Sequence, residues 1–192
     1  AGPVTDRDFA VVRFNVDGSL DTGFGNNGIA RWGGADHDNG WALAVQPDGK
    51  ILVAGGTFNG TDDDFAVARF NADGSLDSDF GSNGAARWDS GDSEEGRAVA
   101  VQPDGKILVA GEVYNGSEYD FAVARFNADG SLDTSFGDSG VARWDGGYDD
   151  RARALAVQPD GKVLVAGEVD NSGNRDLAVI RFDRDGTLDP GF

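Results

Sequence analysis

The stretch DFAVARFNADGSLD runs from Asp64 to Asp77 and recurs letter for letter from Asp120 to Asp133, with near-copies opening at Asp8 and Asp176. The four starts are spaced by 56 residues. A second block, AVQPDGKILVAG or its valine variant, begins at Ala44, Ala100 and Ala156, and a third, ending ARW, finishes at Trp32, Trp88 and Trp144. Self-similarity at one fixed period identifies an array of a single supersecondary unit. The chain is therefore read as one repeat domain over 1–192, with units at about 28–83, 84–139 and 140–192 and a partial one at 1–27.

Inside a unit the apolar segments are short and bounded by turn residues, which is the pattern of strands. ALAVQ and KILVAG flank Pro47-Asp48-Gly49, where proline presets the first turn position and glycine accepts a left-handed backbone. Asn71 to Ser75 follows the same logic with alanine in the proline position. Each unit then holds four strands, GxARW, xALAVQ, KILVAGE and DFAVARF. Alanines recur on one face, with valine, leucine and phenylalanine nearby on both, so both faces are expected to be covered. The fold class is all-β, a β-propeller-like array of four-stranded antiparallel blades with about three and a half units. A parallel β-solenoid is the competing architecture, although its coils are usually shorter.

KILVAGGTFNG and DFAVARFNADGSLDTSFG resemble the bacterial delta-60 repeat family over nearly the whole chain. The resemblance implies a propeller fold and exposure to the cell exterior, with no shared enzymatic activity. A looser similarity to kelch blades rests on the strand ending Gly55-Gly56 and the tryptophan one strand later.

The net charge of -18 argues against nucleic acid and anionic membrane surfaces and favours cationic partners, calcium among them. The chain has no cysteine, which excludes disulfides, thiolate nucleophiles and thiolate metal sites. No apolar run approaches the roughly twenty residues of a membrane-spanning helix. Methionine is absent and the chain opens Ala-Gly-Pro, which suggests processing and export, hence an extracellular or cell-surface location.

Three periods account for 168 of the 192 residues, and the excess is a fourth copy of the DFAVVRF segment without its own AVQPDGK hairpin. Three blades of ordinary width do not close around an axis, so open sheet edges are expected at Asp8 to Phe24 and at Leu177 to Phe182. Pairing of these edges with a neighbouring copy would give a ring or a filament, making the protein a homo-oligomer or polymer. A fragment of a longer array and a compact monomer with distorted blades are the alternatives.

Acidic loops supply the candidate metal ligands. Asp73 and Asp77, with Asp129 and Asp133, sit in turns offering oxygens at alternate positions, although the glycine placement does not match an EF-hand. Asp36 and Asp38, Asp62, Asp63 and Asp64, Asp92 with Glu94 and Glu95, and Asp149 with Asp150 form denser clusters between strands, where like charges repel unless a cation or solvent relieves them. Calcium is the expected ion, with turn formation and solvated loops as the competing explanations. The strand arginines Arg13, Arg69, Arg125 and Arg181 need partners, either Asp64, Asp120 and Asp176 or Asp77 and Asp133.

Trp32, Trp88 and Trp144 are expected to pack between blades, while Trp41 breaks the pattern and is a candidate contact residue. The sole histidine, His37, has no equivalent in other repeats, and no nucleophile is marked, so an enzyme is not expected. The function expected is that of an exported structural protein that self-assembles through edge strands and binds calcium. The alternative is an extracellular binding module for a glycan or a surface protein.

Overall fold

The computed structural model describes residues 7–33 and 37–192. Asp36, one of the expected calcium ligands, lies outside the described residues. The described residues form thirteen strands and no α-helix: β1 (Phe9–Val12), β2 (Ile29–Trp32), β3 (Asp38–Val45), β4 (Ile51–Phe58), β5 (Asp63–Phe70), β6 (Ala85–Trp88), β7 (Glu94–Val101), β8 (Ile107–Tyr114), β9 (Tyr119–Phe126), β10 (Val141–Trp144), β11 (Asp150–Val157), β12 (Val163–Asn171) and β13 (Asn174–Phe182). They assemble into four antiparallel sheets, β1-β2, β3-β4-β5-β6, β7-β8-β9-β10 and β11-β12-β13.

The sheets are displaced from the units read in the sequence. The ARW strand closes the sheet before it, since β6 pairs with β5 through Phe65 opposite Trp88 and Ala66 opposite Arg87. The reason lies in the connection. After β5 the chain turns through the NADGSLD arch and returns alongside the strand it has left, whereas the residues after Trp88 carry it to the next sheet. The array thus consists of two complete sheets, an outer half at the N-terminal end and an inner three-quarters at the C-terminal end.

Each tight hairpin is built as the sequence predicts. Gly49 has a φ of 86°, its amide donates to the Gln46 carbonyl at 2.9 Å, and the Lys50 amide donates to the Asp48 carboxylate at 3.1 Å. One bulge recurs on the first strand of the three larger sheets, between Gly40 and Ala42, Gly96 and Ala98, and Ala152 and Ala154. The bulged strand presses its backbone onto the glycine of LVAG, where a Cβ on Gly111 would stand 1.9 Å from the Glu95 carbonyl oxygen. That close approach explains glycine in the middle of an otherwise apolar strand.

Period-two alternation sends the two faces of each central strand into different cores. Leu52, Ala54, Phe65 and Val67 meet Ile107, Val109, Ala122 and Ala124 of the following sheet. Ile51, Val53, Ala66 and Ala68 turn the other way, against Phe9, Val11 and Phe24. Phe121 and Val123 in turn meet Ala152, Val163 and Val165. A face of phenylalanine and valine therefore packs on a face of alanine, and the short alanine side chains let the sheets approach.

The arch after β5 is fixed by charge. Arg69 Nε donates to Asp77 Oδ2 at 2.7 Å and Lys50 Nζ donates to the same oxygen at 2.6 Å. The other side of the Arg69 guanidinium reaches the Ala128 carbonyl of the next sheet at 2.6 Å, and its carbon lies 4.3 Å from the Phe80 ring centre. Arg125 and Lys106 repeat the arrangement on Asp133, and Arg181 and Lys162 on Asp189. Arg13 pairs with Asp21 at the N-terminal end, where both side chains are more exposed.

Removing Asp133 strands a nearly buried guanidinium, so Asp133→Ala is expected to cost about 3 kcal/mol. Asp21→Ala, at the exposed counterpart, should cost less than about 1 kcal/mol. Chemical denaturation of the two variants against the parent checks the difference.

Candidate functional site

The acidic residues predicted as ligands divide sharply in the structure. Asp77 and Asp133 are each held by a lysine and an arginine, which makes them ion-pair anchors rather than calcium ligands. Burial pushes against their ionisation, but hydrogen bonds prevail and hold both carboxyls below the usual range, from Lys50 and Arg69 at Asp77, and from Lys106 and Ser135 with the Arg125 charge at Asp133. Asp73 and Asp129 cap their own turns, accepting from the amide and hydroxyl of Ser75 and Ser131.

Of the denser clusters, Asp92 is exposed. Glu95 accepts from Arg97 at 2.5 Å and from the Trp41 indole at 2.5 Å. Trp41 is 52% exposed and carries Arg97 over its ring. Asp149 accepts from the Tyr119 amide at 3.1 Å. Asp38 is buried and accepts a hydrogen bond from the Thr57 hydroxyl. Asp63 points to the opposite side of β5 from Asp64, as alternation requires.

What remains is a pair of equivalent constellations, one period apart. Asp62, Asp64 and Asp89 bring one carboxylate oxygen each to within 4.8 Å of the others, and Glu118, Asp120 and Asp145 do the same. The local folding is legible. Asn59 Nδ2 donates to Asp62 at 2.6 Å and to Asp64 at 2.8 Å, so the loop after β4 folds over the start of β5. Asn115 donates to Asp120 at 3.0 Å in the next copy. Asp89 and Asp145 follow the tryptophans that end β6 and β10, and each caps a glycine turn, through Gly91 and Gly147, at 2.6 Å.

Glu94 and Asp150, the first residues of β7 and β11, stand beside these clusters and are both 0% exposed. Glu94 is held by the Ser90 amide at 3.2 Å and by the Ser90 hydroxyl, and Asp150 by the Gly146 amide at 2.6 Å. Burial, followed by the neighbouring carboxylates Asp64 and Asp89, pushes Glu94 up to about 7. Burial and Asp89 push Asp64 up to about 6. Asp120 and Asp150 move the same way, again with burial as the main cause.

Asp89, Glu118 and Asp145 were not selected from the sequence as ligands. The signal was present in the ARWD string at Trp88-Asp89 and Trp144-Asp145, whose third copy reads Trp32-Gly33. The tryptophans themselves pack edge-on against Phe9, Phe65 and Phe121 at 5.0, 5.3 and 5.6 Å. Arg87 and Arg143 of the following sheets cover the rings of Trp32 and Trp88, so these indoles serve packing between sheets.

The raised carboxyls favour the folded state when protonated, so their contribution is present at low pH and is lost as pH rises through about 6 to 7. The lowered carboxyls of Asp77 and Asp133 act oppositely, contributing above the ordinary carboxylate pKa and losing this as pH falls. In metal-free buffer the melting temperature should therefore peak near pH 4, falling as pH rises to about 7 and falling again below pH 4, and Glu94→Gln should flatten the upper limb. Thermal scans across pH check both.

Against known proteins, a family model described as a domain of unknown function (DUF5122) beta-propeller matches residues 4–24, 46–80, 102–136 and 158–192. No curated protein matches the chain. Each full-length match opens next to the Pro-Asp-Gly hairpin and ends at the arch phenylalanine, Phe80, Phe136 or Phe192. The matched segments cover well over half of the sequence, and the chain belongs to this family of β-propeller repeats.

Proposed function

We propose that this protein is a structural interaction module whose terminal sheets complete one another between two copies. The observation that carries the reading is the complementarity of the two ends. The N-terminal sheet β1-β2 is the outer half of the four-stranded unit, and the C-terminal sheet β11-β12-β13 is the inner three-quarters. β1 and β13 are the same strand of the repeat, DFAVVRF and DLAVIRF.

In the proposed contact β13 of one copy takes the place of β1 in the other, and β2 of that second copy becomes its fourth strand. Side chains that are covered elsewhere in the array are exposed at the two ends. Leu177 is 83% exposed, whereas its period counterparts Phe65 and Phe121 are 0% exposed. Leu43 and Val45 on β3 are 60% and 63% exposed, where Val99 and Val101 are partly buried against the preceding sheet. Exchange would give Leu177 the alanine-lined face of the second copy's β3-β6 sheet and would lay β11 and β12 over Leu43 and Val45. Two copies with three periods each make six blades, inside the usual range of about four to eight for closed propellers. The contact is head to tail and closes on itself.

Light scattering on the full chain at micromolar concentration should give the mass of two copies, and the mass of one copy would overturn the reading. Leu177→Lys should abolish association while leaving the fold intact, because the residue is exposed within a single chain. Leu177→Phe, which installs the residue of the buried counterparts, should tighten association about tenfold.

A further inference from the structure

We propose that the junctions following β6 and β10 are two equivalent sites for a hard divalent cation of calcium's class, formed by Asp62, Asp64 and Asp89 in the first, beside the buried Glu94, and by Glu118, Asp120 and Asp145 in the second, beside the buried Asp150. Each ion would tie the third strand of a sheet to the connector that leads into the next, because its ligands come from both. Asp62 and Asp64 lead into the third strand of one sheet, Asp89 lies in the connector, and Glu94 opens the first strand of the next. Glu118, Asp120, Asp145 and Asp150 hold the corresponding places one period later.

Clustered acids alone would not define a site, since exposed carboxylates gather in loops without binding anything. Here buried oxygens are left without a partner. Asp120 is 5% exposed, belongs to the second cluster, and its Oδ1 has no hydrogen-bond partner. Glu94 Oε2 is likewise unpartnered on a side chain that is 0% exposed, and Asp150, equally buried, is met by the Gly146 amide at Oδ2. Both lie within electrostatic reach of the cluster beside them, Glu94 of Asp64 and Asp89, Asp150 of Asp120 and Asp145. A buried carboxylate oxygen that no protein donor meets is costly to bury, and a bound cation would satisfy several at once.

Protein cations do not fill this role among the described residues. No lysine or arginine forms an ion pair with Asp62, Asp64, Asp89, Glu118, Asp120 or Asp145 within 4.0 Å. Arg87 and Arg143, the nearest in charge, lie over the Trp32 and Trp88 rings. Four carboxylates per junction would bring up to four negative charges together, which a dication halves.

The donor set also selects the ion. It is all oxygen, which suits calcium, magnesium or manganese rather than zinc or copper. Two oxygens on one ion can stand no farther apart than twice the metal–oxygen distance, about 4.6 to 5.2 Å for calcium and about 4.1 Å for magnesium. The clustered oxygens lie within 4.8 Å of one another, inside the span that one calcium ion can bridge. The first junction supplies an internal contrast, because Gly33 stands where the others have Asp89 and Asp145, and the Asp8 carboxylate lies against it. Two ions per chain are expected, not three.

Equilibrium dialysis of the chelator-treated full chain against radioactive calcium counts ions whatever the state of association. The expected result is two per chain, with a melting temperature that rises on calcium addition. Asp89→Asn and Asp145→Asn should each remove one ion, and the double variant both. These side chains are exposed, and asparagine retains the oxygen that accepts from Gly91 or Gly147, so folding should persist. Asp73→Asn makes the same charge change in an exposed turn and should leave both ions bound. Absence of binding at millimolar calcium overturns the proposal. So does stoichiometry that survives the double variant, or that falls equally with Asp73→Asn.

Discussion

The packing of a phenylalanine-and-valine face on an alanine face is the constraint on which everything else in this chain depends. It makes each sheet two-sided and unlike on its two sides, so a sheet is covered only when it has a neighbour before it and another after it. β5 and β13 carry nearly the same sequence, DFAVARF and DLAVIRF, yet all of the former is buried and most of the latter is exposed or half-buried. Local sequence is the same; the difference is the missing neighbour. Strand preference fixes the strands, but burial belongs to the array.

Because apolar packing is non-directional, it cannot by itself set how far one sheet is rotated on the next. The charged arch supplies direction. Arg69 reaches its own arch through Asp77 and the next sheet through the Ala128 carbonyl, and Arg125 does the same through Asp133 and the Arg184 carbonyl. A guanidinium suits this task because its donors are fixed in a plane and point two ways at once. The ion pairs are nearly buried in the middle of the array and more open at Arg13, which matches the order in which neighbours cover them.

The period, the strands and the hairpins were legible in the sequence because each has a local cause: a proline and glycine at fixed turn positions, or alternation along one strand. The ion-pair partners of the strand arginines were legible as a choice between two sets, and the structure selects Asp77 and Asp133. What was not legible is where a sheet begins. A cyclic repeat carries no mark of phase, and only pairing shows that Trp88 lies opposite Phe65. The junction clusters were half legible for a related reason. Asp62 and Asp64 stand together in the sequence, but Asp89 joins them only after the arch brings β6 back beside β5. Charge density along the chain drew attention instead to Asp92 and Glu95, which face solvent or pair with Arg97.

Repeat identity and repeat variation then separate by physical role. Residues kept in each unit, the alanines, the LVAG glycine and the arch arginine, satisfy contacts that any two neighbouring sheets must make. The junction after Trp32 departs from the rule at Gly33, and it does so at the end of the array where the sheet is only a half. A junction that must stay put gains from four acids converging on it only if a cation holds them; without one, their repulsion loosens it. A junction whose sheet exchanges strands with a second copy is better left without that charge. On the proposed exchange and the proposed cation sites, aspartate at 89 and 145 and glycine at 33 would divide the junctions into fixed and exchangeable ones.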